Sequence, residues 1–251
     1  MTEESRDPRN GPVPASLDQE FLQSETMRGV RFLLEYAKAE EVLNRWAVRS
    51  TIVVFGSARA FESGSPRHLA WYRQAREFGR IASQEGGALA GNDGVRDNVV
   101  ATGGGPGIME AANRGARDAG APTIGFGITL PREQRPNAYI TPELTFEFGY
   151  FAMRKLHLAL RANALVVFPG GFGTLDELFE LLTLSQTGRG PKIPIVLFDS
   201  SFWQRIVNFE GLVEEGMIGQ RDLELFGFAD EAREAWDTLA ARGLGADRDK
   251  A

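Results

Sequence analysis

The residues best suited to chemistry lie in one stretch, Pro169-Gly170-Gly171-Phe172-Gly173-Thr174-Leu175-Asp176-Glu177. The apolar run Ala164-Leu165-Val166-Val167-Phe168 precedes it and Leu178-Phe179-Glu180-Leu181-Leu182 follows, so it reads as a buried strand, a glycine turn and an amphipathic helix. Glycines let the main chain approach an anion closely, and a helix start offers unpaired N–H groups at the positive end of its dipole. Gly170, Gly171, Gly173 and Thr174 are therefore candidate phosphate ligands. Glu177, one turn further on, would stand beside the sugar of a bound nucleotide. T-x-x-E at a helix start is also the capping box, in which both side chains satisfy orphan backbone N–H groups. Spacing alone favours that cap for Thr174 and Glu177, although the Thr174 hydroxyl can serve either role.

Two more apolar runs end in glycine turns: Thr51 to Phe55 leads into Gly56-Ser57, and Asn98 to Thr102 leads into Gly103-Gly104-Gly105-Pro106-Gly107. A strand-to-helix turn often needs glycine for steric reasons alone. Three such turns converging on the carboxyl edge of one sheet point instead to an anionic ligand. Glu110 lies four residues before Arg114, a helical ion-pair spacing. Arg154 falls opposite the apolar stripe Ala152, Leu156, Ala159 and Leu160 and shares a side with His157 and Arg161, which assigns it to a solvated helix face. There is no G-x-x-x-x-G-K-[ST], no completed G-x-G-x-x-G and no G-x-S-x-G, so a P-loop NTPase, a dinucleotide dehydrogenase and an α/β-hydrolase triad are all disfavoured. The residues by themselves lead as far as a nucleotide or phosphosugar pocket.

The elements that must position these groups alternate. A helical pattern spans Leu17 to Trp46, followed by the strand 51–55, a helix near 68–84, a strand near 98–102 and a helix carrying Ile108, Ala111, Ala112, Gly115 and Ala116 on one stripe. Thr123 to Ile128 reads as the next strand, then a proline-rich irregular segment runs to about Phe146. A helix from Gly149 to Arg161, the strand–glycine–helix unit, a strand at Ile193 to Phe198, a helix from Phe202 to Glu215, an apolar patch at Leu223 to Phe228 and a helix from Asp230 to Ala241 complete the chain. Short strands that are apolar on both faces and alternate with helices predict one doubly wound, Rossmann-like α/β domain over residues 49–245 with helices on both faces of a parallel sheet. An N-terminal helix over 18–48 and a disordered tail over 1–17 precede it.

Composition narrows the function classes. The 251 residues suit one large domain, with 43% hydrophobic and 25% charged residues. A net charge of −6 argues against a nucleic-acid partner. Cysteine is absent, which excludes disulfides, thiol nucleophiles and thiolate metal sites, and two distant histidines (His68 and His157) argue against a histidine-rich metal site. The polar N-terminal segment is no signal peptide and no run approaches the ~18 apolar residues of a spanning helix, so a cytoplasmic protein with no membrane partner is expected. Only four lysines occur, Lys38, Lys155, Lys192 and Lys250, leaving few candidates for a Schiff base.

The run Gly103 to Ala116 (GGGPGIMEAANRGA), followed about fifty residues later by Pro169 to Glu177 and joined by Met153-Arg154-Lys155, resembles the LOG (Lonely Guy) family. The resemblance covers roughly Thr51 to Glu215. The N-terminal helix and the Phe-rich surroundings of Arg154 look like a longer subgroup rather than the short plant-type enzymes. The resemblance implies cofactor-free and metal-free hydrolysis of the N-glycosidic bond of a nucleoside 5′-monophosphate, AMP or a cytokinin riboside monophosphate, to a free base and ribose 5-phosphate. It assigns Arg154 and Glu177 as the catalytic pair. Gly56, Ser57, Gly103, Gly104, Gly105, Gly107, Glu110, Met153, Lys155, Gly170, Gly171, Gly173 and Thr174 become the nucleotide and phosphate pocket. A homodimer or higher homo-oligomer is expected. The competing reading is a non-catalytic nucleotide or molybdenum-cofactor carrier that uses the same turns only to bind. The lysine decarboxylase label carried by many family members fits poorly, because neither Lys155 nor Lys192 sits in a recognisable pyridoxal phosphate motif.

Overall fold

The computed structural model describes residues 12–91, 93–129, 135–190 and 192–244. Most of the expected tail, residues 1–11, lies outside them. The segment expected as one N-terminal helix is broken: α1 (Gln19–Gln23) and α2 (Arg28–Arg45) are separated by Ser24, whose backbone is extended, and a 3₁₀ turn over Glu25–Met27. Helical periodicity cannot reveal a break filled by residues that tolerate helix.

The core alternates as expected: β1 (Thr51–Phe55), α3 (Pro66–Glu85), β2 (Val99–Thr102), α4 (Ile108–Asp118), β3 (Ile124–Ile128), β4 (Thr145–Phe148), α5 (Phe151–Leu160), β5 (Ala162–Val167), α6 (Phe172–Gln186), β6 (Ile195–Phe198), α7 (Ser200–Ile206), α8 (Phe209–Glu214), β7 (Phe226–Ala229) and α9 (Ala232–Ala241). All seven strands pair in parallel in the order β4-β3-β2-β1-β5-β6-β7. β4 corrects the sequence reading, which left this stretch irregular up to Phe146. It is an edge strand of four residues, too short to show a period against its proline-rich approach. The helix expected over 202–215 is two helices, each started by its own side-chain cap: Asp199 on Phe202 N–H and Asn208 on Gly211 N–H.

Alternate residues of the buried strands feed two cores. Val53, Phe55, Ala101, Phe126, Leu165 and Val167 pack under α2, α5, α6, α7 and α8, while Ile52, Val54, Val100, Val166 and Phe198 pack under α3, α4 and α9. The chain builds outward from β1 to β4 on one side, then crosses back to place β5 against the other side of β1. This reversal is the topological switch point, and the crevice beyond the carboxyl ends of β1 and β5 is where such sheets bind ligands.

His157 also departs from the sequence reading. It is not on a solvated face but 1% exposed, with its ring against Tyr36 of α2 and against Phe126 and Phe148 of the sheet. Neither ring nitrogen has a hydrogen-bond partner, and Nδ1 is 3.5 Å from Glu40 Oε1. Burial pulls its pKa below the usual histidine value against the opposing pull of Glu40, with Arg161 adding to the depression. The folded state therefore holds the ring neutral while the unfolded chain protonates it near pH 6.5. Below that pH the unfolded state binds the extra proton, so stability falls as the pH drops. Melting curves from pH 7.5 to 5 should show a steeper loss of Tm for the wild type than for His157→Phe; parallel curves would rule out this linkage.

Candidate active site

The three glycine turns meet at the switch point, held together by the backbone of one residue. Ser57 donates its N–H to Pro169 O (3.0 Å) and accepts from Ile108 N–H at its own carbonyl (3.1 Å), so it ties the turns after β1, β2 and β5 together. Its hydroxyl accepts from Arg59 N–H. Gly107 has φ of +71°, and a Cβ there would collide with the Ser57 carbonyl; a Cβ on Gly56 would strike Ile108. These two glycines are required by the fold itself.

Gly171 and Gly173 are different. Neither has positive φ, and a Cβ at either would meet nothing within 4 Å. The backbone of this turn is bare although the fold does not demand it. Gly171 is the N-cap of α6 and no side chain caps the helix start. The capping-box expectation for Thr174 and Glu177 is thereby corrected: Thr174 is the third residue of the helix and Glu177 the sixth, too far in to reach the cap. The first-turn N–H groups of a fifteen-residue helix thus face the crevice without a protein acceptor on the cap, an arrangement suited to phosphate.

Glu177 points elsewhere. It is 5% exposed and accepts a hydrogen bond from Arg154 Nη2. Arg154, in the first turn and a half of α5, thus leaves the solvated face that its spacing suggested and lies in the crevice with its side chain mostly buried. Its Nη1 lies over Gly103, its guanidinium stacks near the Phe151 ring at 5.3 Å, and its buried Nε has no partner, leaving donors unspent. Burial pushes the Glu177 carboxyl above the usual carboxylate range, although Arg154 and Lys155 pull it down. Lys155 binds Asp176 and Glu180, each at 2.8 Å. Burial draws its ammonium toward neutrality, but these two carboxylates prevail and raise its pKa.

On the other side of Arg154 a cavity of about 120 Å³ opens along the ends of β2, β3 and β4, lined by Gly103, Gly104, Gly105, Met109, Ile140 and Glu147 among others. The methionine in this wall is Met109; Met153 packs on the core. Glu110 does not pair with Arg114: it accepts from the Tyr72 hydroxyl at 2.9 Å, and Arg114 binds Glu62. Burial and Glu110 push the Tyr72 phenol up to about 12 against Arg114.

The Gly103–Gly105 turn is shaped by residues that sequence reasoning passed over. Fully buried Asn113 accepts from the Thr102 hydroxyl and from Asn137 Nδ2, Asn137 also donates to the carbonyls of Gly104 and Gly105, and Thr102 accepts from Gly104 N–H. One polar residue on the apolar stripe of α4 was the available signal for Asn113, since a buried amide needs partners. Asn137 and Glu147 sit in aperiodic or edge segments and had none. Among the described residues no cluster of three or more metal-binding side chains occurs, and no helix is long and apolar enough to cross a membrane.

A family model described as "Possible lysine decarboxylase" matches residues 109–239, more than half the chain and the whole of α5, β5 and α6. The chain belongs to this family, the LOG family. Among its LOG relatives, the cytokinin riboside 5′-monophosphate phosphoribohydrolase LOG3 of Arabidopsis thaliana is 31% identical over 163 residues, covering 62% of this chain and 74% of that protein. LOG4 of the same plant is 29% identical over 179 residues, covering 64% and 81%. The LOG fold is also seen in an X-ray structure of a structural-genomics target (23% identity, TM-score 0.55, 76% of this chain and 99% of that one). The molybdenum cofactor carrier protein of Chlamydomonas reinhardtii shares it as well (21%, 0.51, 77% and 98%). At those identities the likeness is one of fold.

The contrast among the glycines is testable. Gly170→Ala should lower Tm, because its Cβ would strike the Thr174 side chain. Gly173→Ala should leave Tm unchanged or raise stability by about 0.5–1 kcal/mol, as expected for alanine in a helix, yet weaken AMP binding at least about tenfold (about 1.4 kcal/mol) by calorimetry. Unchanged AMP affinity would contradict the phosphate assignment.

Proposed function

We propose that the protein hydrolyses the N-glycosidic bond of a nucleoside 5′-monophosphate, AMP or a cytokinin riboside monophosphate, to a free base and ribose 5-phosphate. The observation that carries this reading is the buried Arg154–Glu177 pair set beside an uncapped, glycine-lined helix start. The phosphate rests on the first turn of α6 against Gly171, Gly173 and Thr174, which places the ribose over Glu177 and the base toward the cavity beyond Gly103. Breaking the bond develops positive charge on the ribosyl ring, as in glycoside hydrolysis. The Glu177 carboxylate stabilises that charge and orients a water whose oxygen bonds to C1′ as the C1′–N bond breaks; one of the water's protons stays on the new ribose hydroxyl and the other ends on the departing base. Arg154 holds the departing base or the phosphate by charge; its permanently protonated guanidinium does not supply the proton. Distant phosphate contacts contribute by positioning the bond.

The phosphoribohydrolase activity for which the relatives are named supports this reading, and lysine decarboxylation is not supported. A Schiff-base lysine needs a lowered pKa, whereas Lys155 is held charged by Asp176 and Glu180. We also propose that the chain forms a homo-oligomer through the face of α5 that exposes Leu156 and Leu160.

Incubation with AMP and with N6-isopentenyl-AMP, followed by chromatography of the free base, tests the reaction. Glu177→Gln should lower kcat at least about 100-fold, equivalent to about 2.7 kcal/mol, while nucleotide affinity changes little. Because Glu177 acts ionised and burial raises its pKa, kcat/KM should fall with decreasing pH along a limb centred above the ~4.3 of free glutamate. Tight nucleotide binding without base release would establish the carrier reading instead, and full activity in Glu177→Ala would remove the carboxylate from the mechanism.

A further inference from the structure

The residues matched by the family begin at Met109, so α1 and α2 stand upstream of that match. Their contacts converge on the start of α5. Arg154 N–H and Met153 N–H both donate to the Tyr150 carbonyl, at 3.2 and 3.1 Å, so the placement of Tyr150 sets the placement of Arg154. No side chain caps α5 at this end. The turn is gripped from outside by one face of α2. Arg31 Nε donates to the Tyr150 hydroxyl (2.9 Å), Phe32 meets the Tyr150 ring edge-on at 4.4 Å, and Glu35 Oε1 accepts from Gly149 N–H (2.9 Å). Arg31 is in turn held by two carbonyls, Leu22 O at 2.8 Å and Ser24 O at 2.7 Å, at the end of α1 and at the helix break. The break at Ser24 thus supplies the carbonyls that fix the guanidinium.

The grip continues along the helix. Tyr36 stacks on His157, and Glu40 and Asn44 bind Arg161. Contact pairs 31–150, 36–157 and 40–161 advance in the same direction, so α2 lies parallel to α5 and follows it from end to end. Its far side leaves Leu33 and Leu34 exposed, so what α2 covers is α5.

We propose that Arg31 and Glu35 are positioning residues for Arg154, and that the N-terminal segment is a strap that holds the catalytic helix start at the distance where Arg154 meets Glu177. This rests on the hydrolase reading for its kinetic consequence, but not for its structural one. A misplacement of about 1 Å far from the chemistry can cost on the order of 100-fold in rate. Arg31→Ala, Glu35→Ala and Tyr150→Phe, the last removing only a hydroxyl, should therefore lower kcat for base release at least about tenfold while KM stays within about threefold. Glu35→Gln retains an acceptor for Gly149 N–H and should recover most of the rate. In parallel, hydrogen exchange of the amides over 151–155 should speed up in the three variants, with β1 and β5 unchanged. Unaltered exchange over 151–155 in a folded Tyr150→Phe or Arg31→Ala protein overturns the strap, as does an equal loss from Glu35→Gln and Glu35→Ala. If wild-type protein releases no base, the exchange result alone decides: faster exchange upholds the strap and leaves the hydrolase reading refuted.

Discussion

Two opposite charges withdrawn from water, Arg154 and Glu177, hold this structure's functional edge in place. Desolvating a carboxylate and a guanidinium costs several kcal/mol each, and their attraction repays that only with good geometry, so such a pair is a poor way to gain stability. It spans α5 and α6, the helices before and after β5, and thereby fixes the width of the crevice at the switch point. Lys155, bound to Asp176 and Glu180, repeats the tie one residue along. A pair that is expensive, incompletely satisfied at Arg154 Nε and next to uncapped helix amides fits a preorganised site, in which the charges fix geometry rather than add stability.

Everything around the pair follows from that constraint. β1, β2 and β5 must end at one level, which the Ser57 backbone secures by binding the turns after β2 and β5. Gly56 and Gly107 exist to permit that convergence, while Gly171 and Gly173 keep backbone bare where a ligand's anion would lie. The network of buried Asn113 and Thr102 with half-buried Asn137 then holds the Gly103–Gly105 turn under Arg154. On the outside, α2 presses on the start of α5, so residues far upstream in sequence bear on the arginine.

Much of this was legible in the sequence, for definable reasons. Strands apolar on both faces announced the parallel sheet, and glycine turns at their ends announced the crevice, because both depend on local composition. Periodicity failed where a tertiary partner decides the environment. Arg154 and His157 share the polar side of their helix, yet one turns toward Glu177 and the other is enclosed by Tyr36, Phe126 and Phe148, partners that only the folded chain supplies. Thr174 and Glu177 matched a capping box because the match assumes where the helix starts, and the N-cap of α6 lies three residues earlier, at Gly171. β4 and the break at Ser24 went unseen because neither a four-residue edge strand nor a single extended serine leaves a periodic trace.

The placement of substrate over the Arg154–Glu177 pair is tested most directly by a crystal structure of the Glu177→Gln variant with AMP bound. The phosphate is expected on the first-turn N–H groups of α6, the ribose C1′ within about 4 Å, a contact distance, of the side chain at position 177, and the base in the cavity beyond Gly103. A nucleotide whose phosphate lies away from α6, or whose ribose is out of reach of both position 177 and Arg154, would contradict the placement.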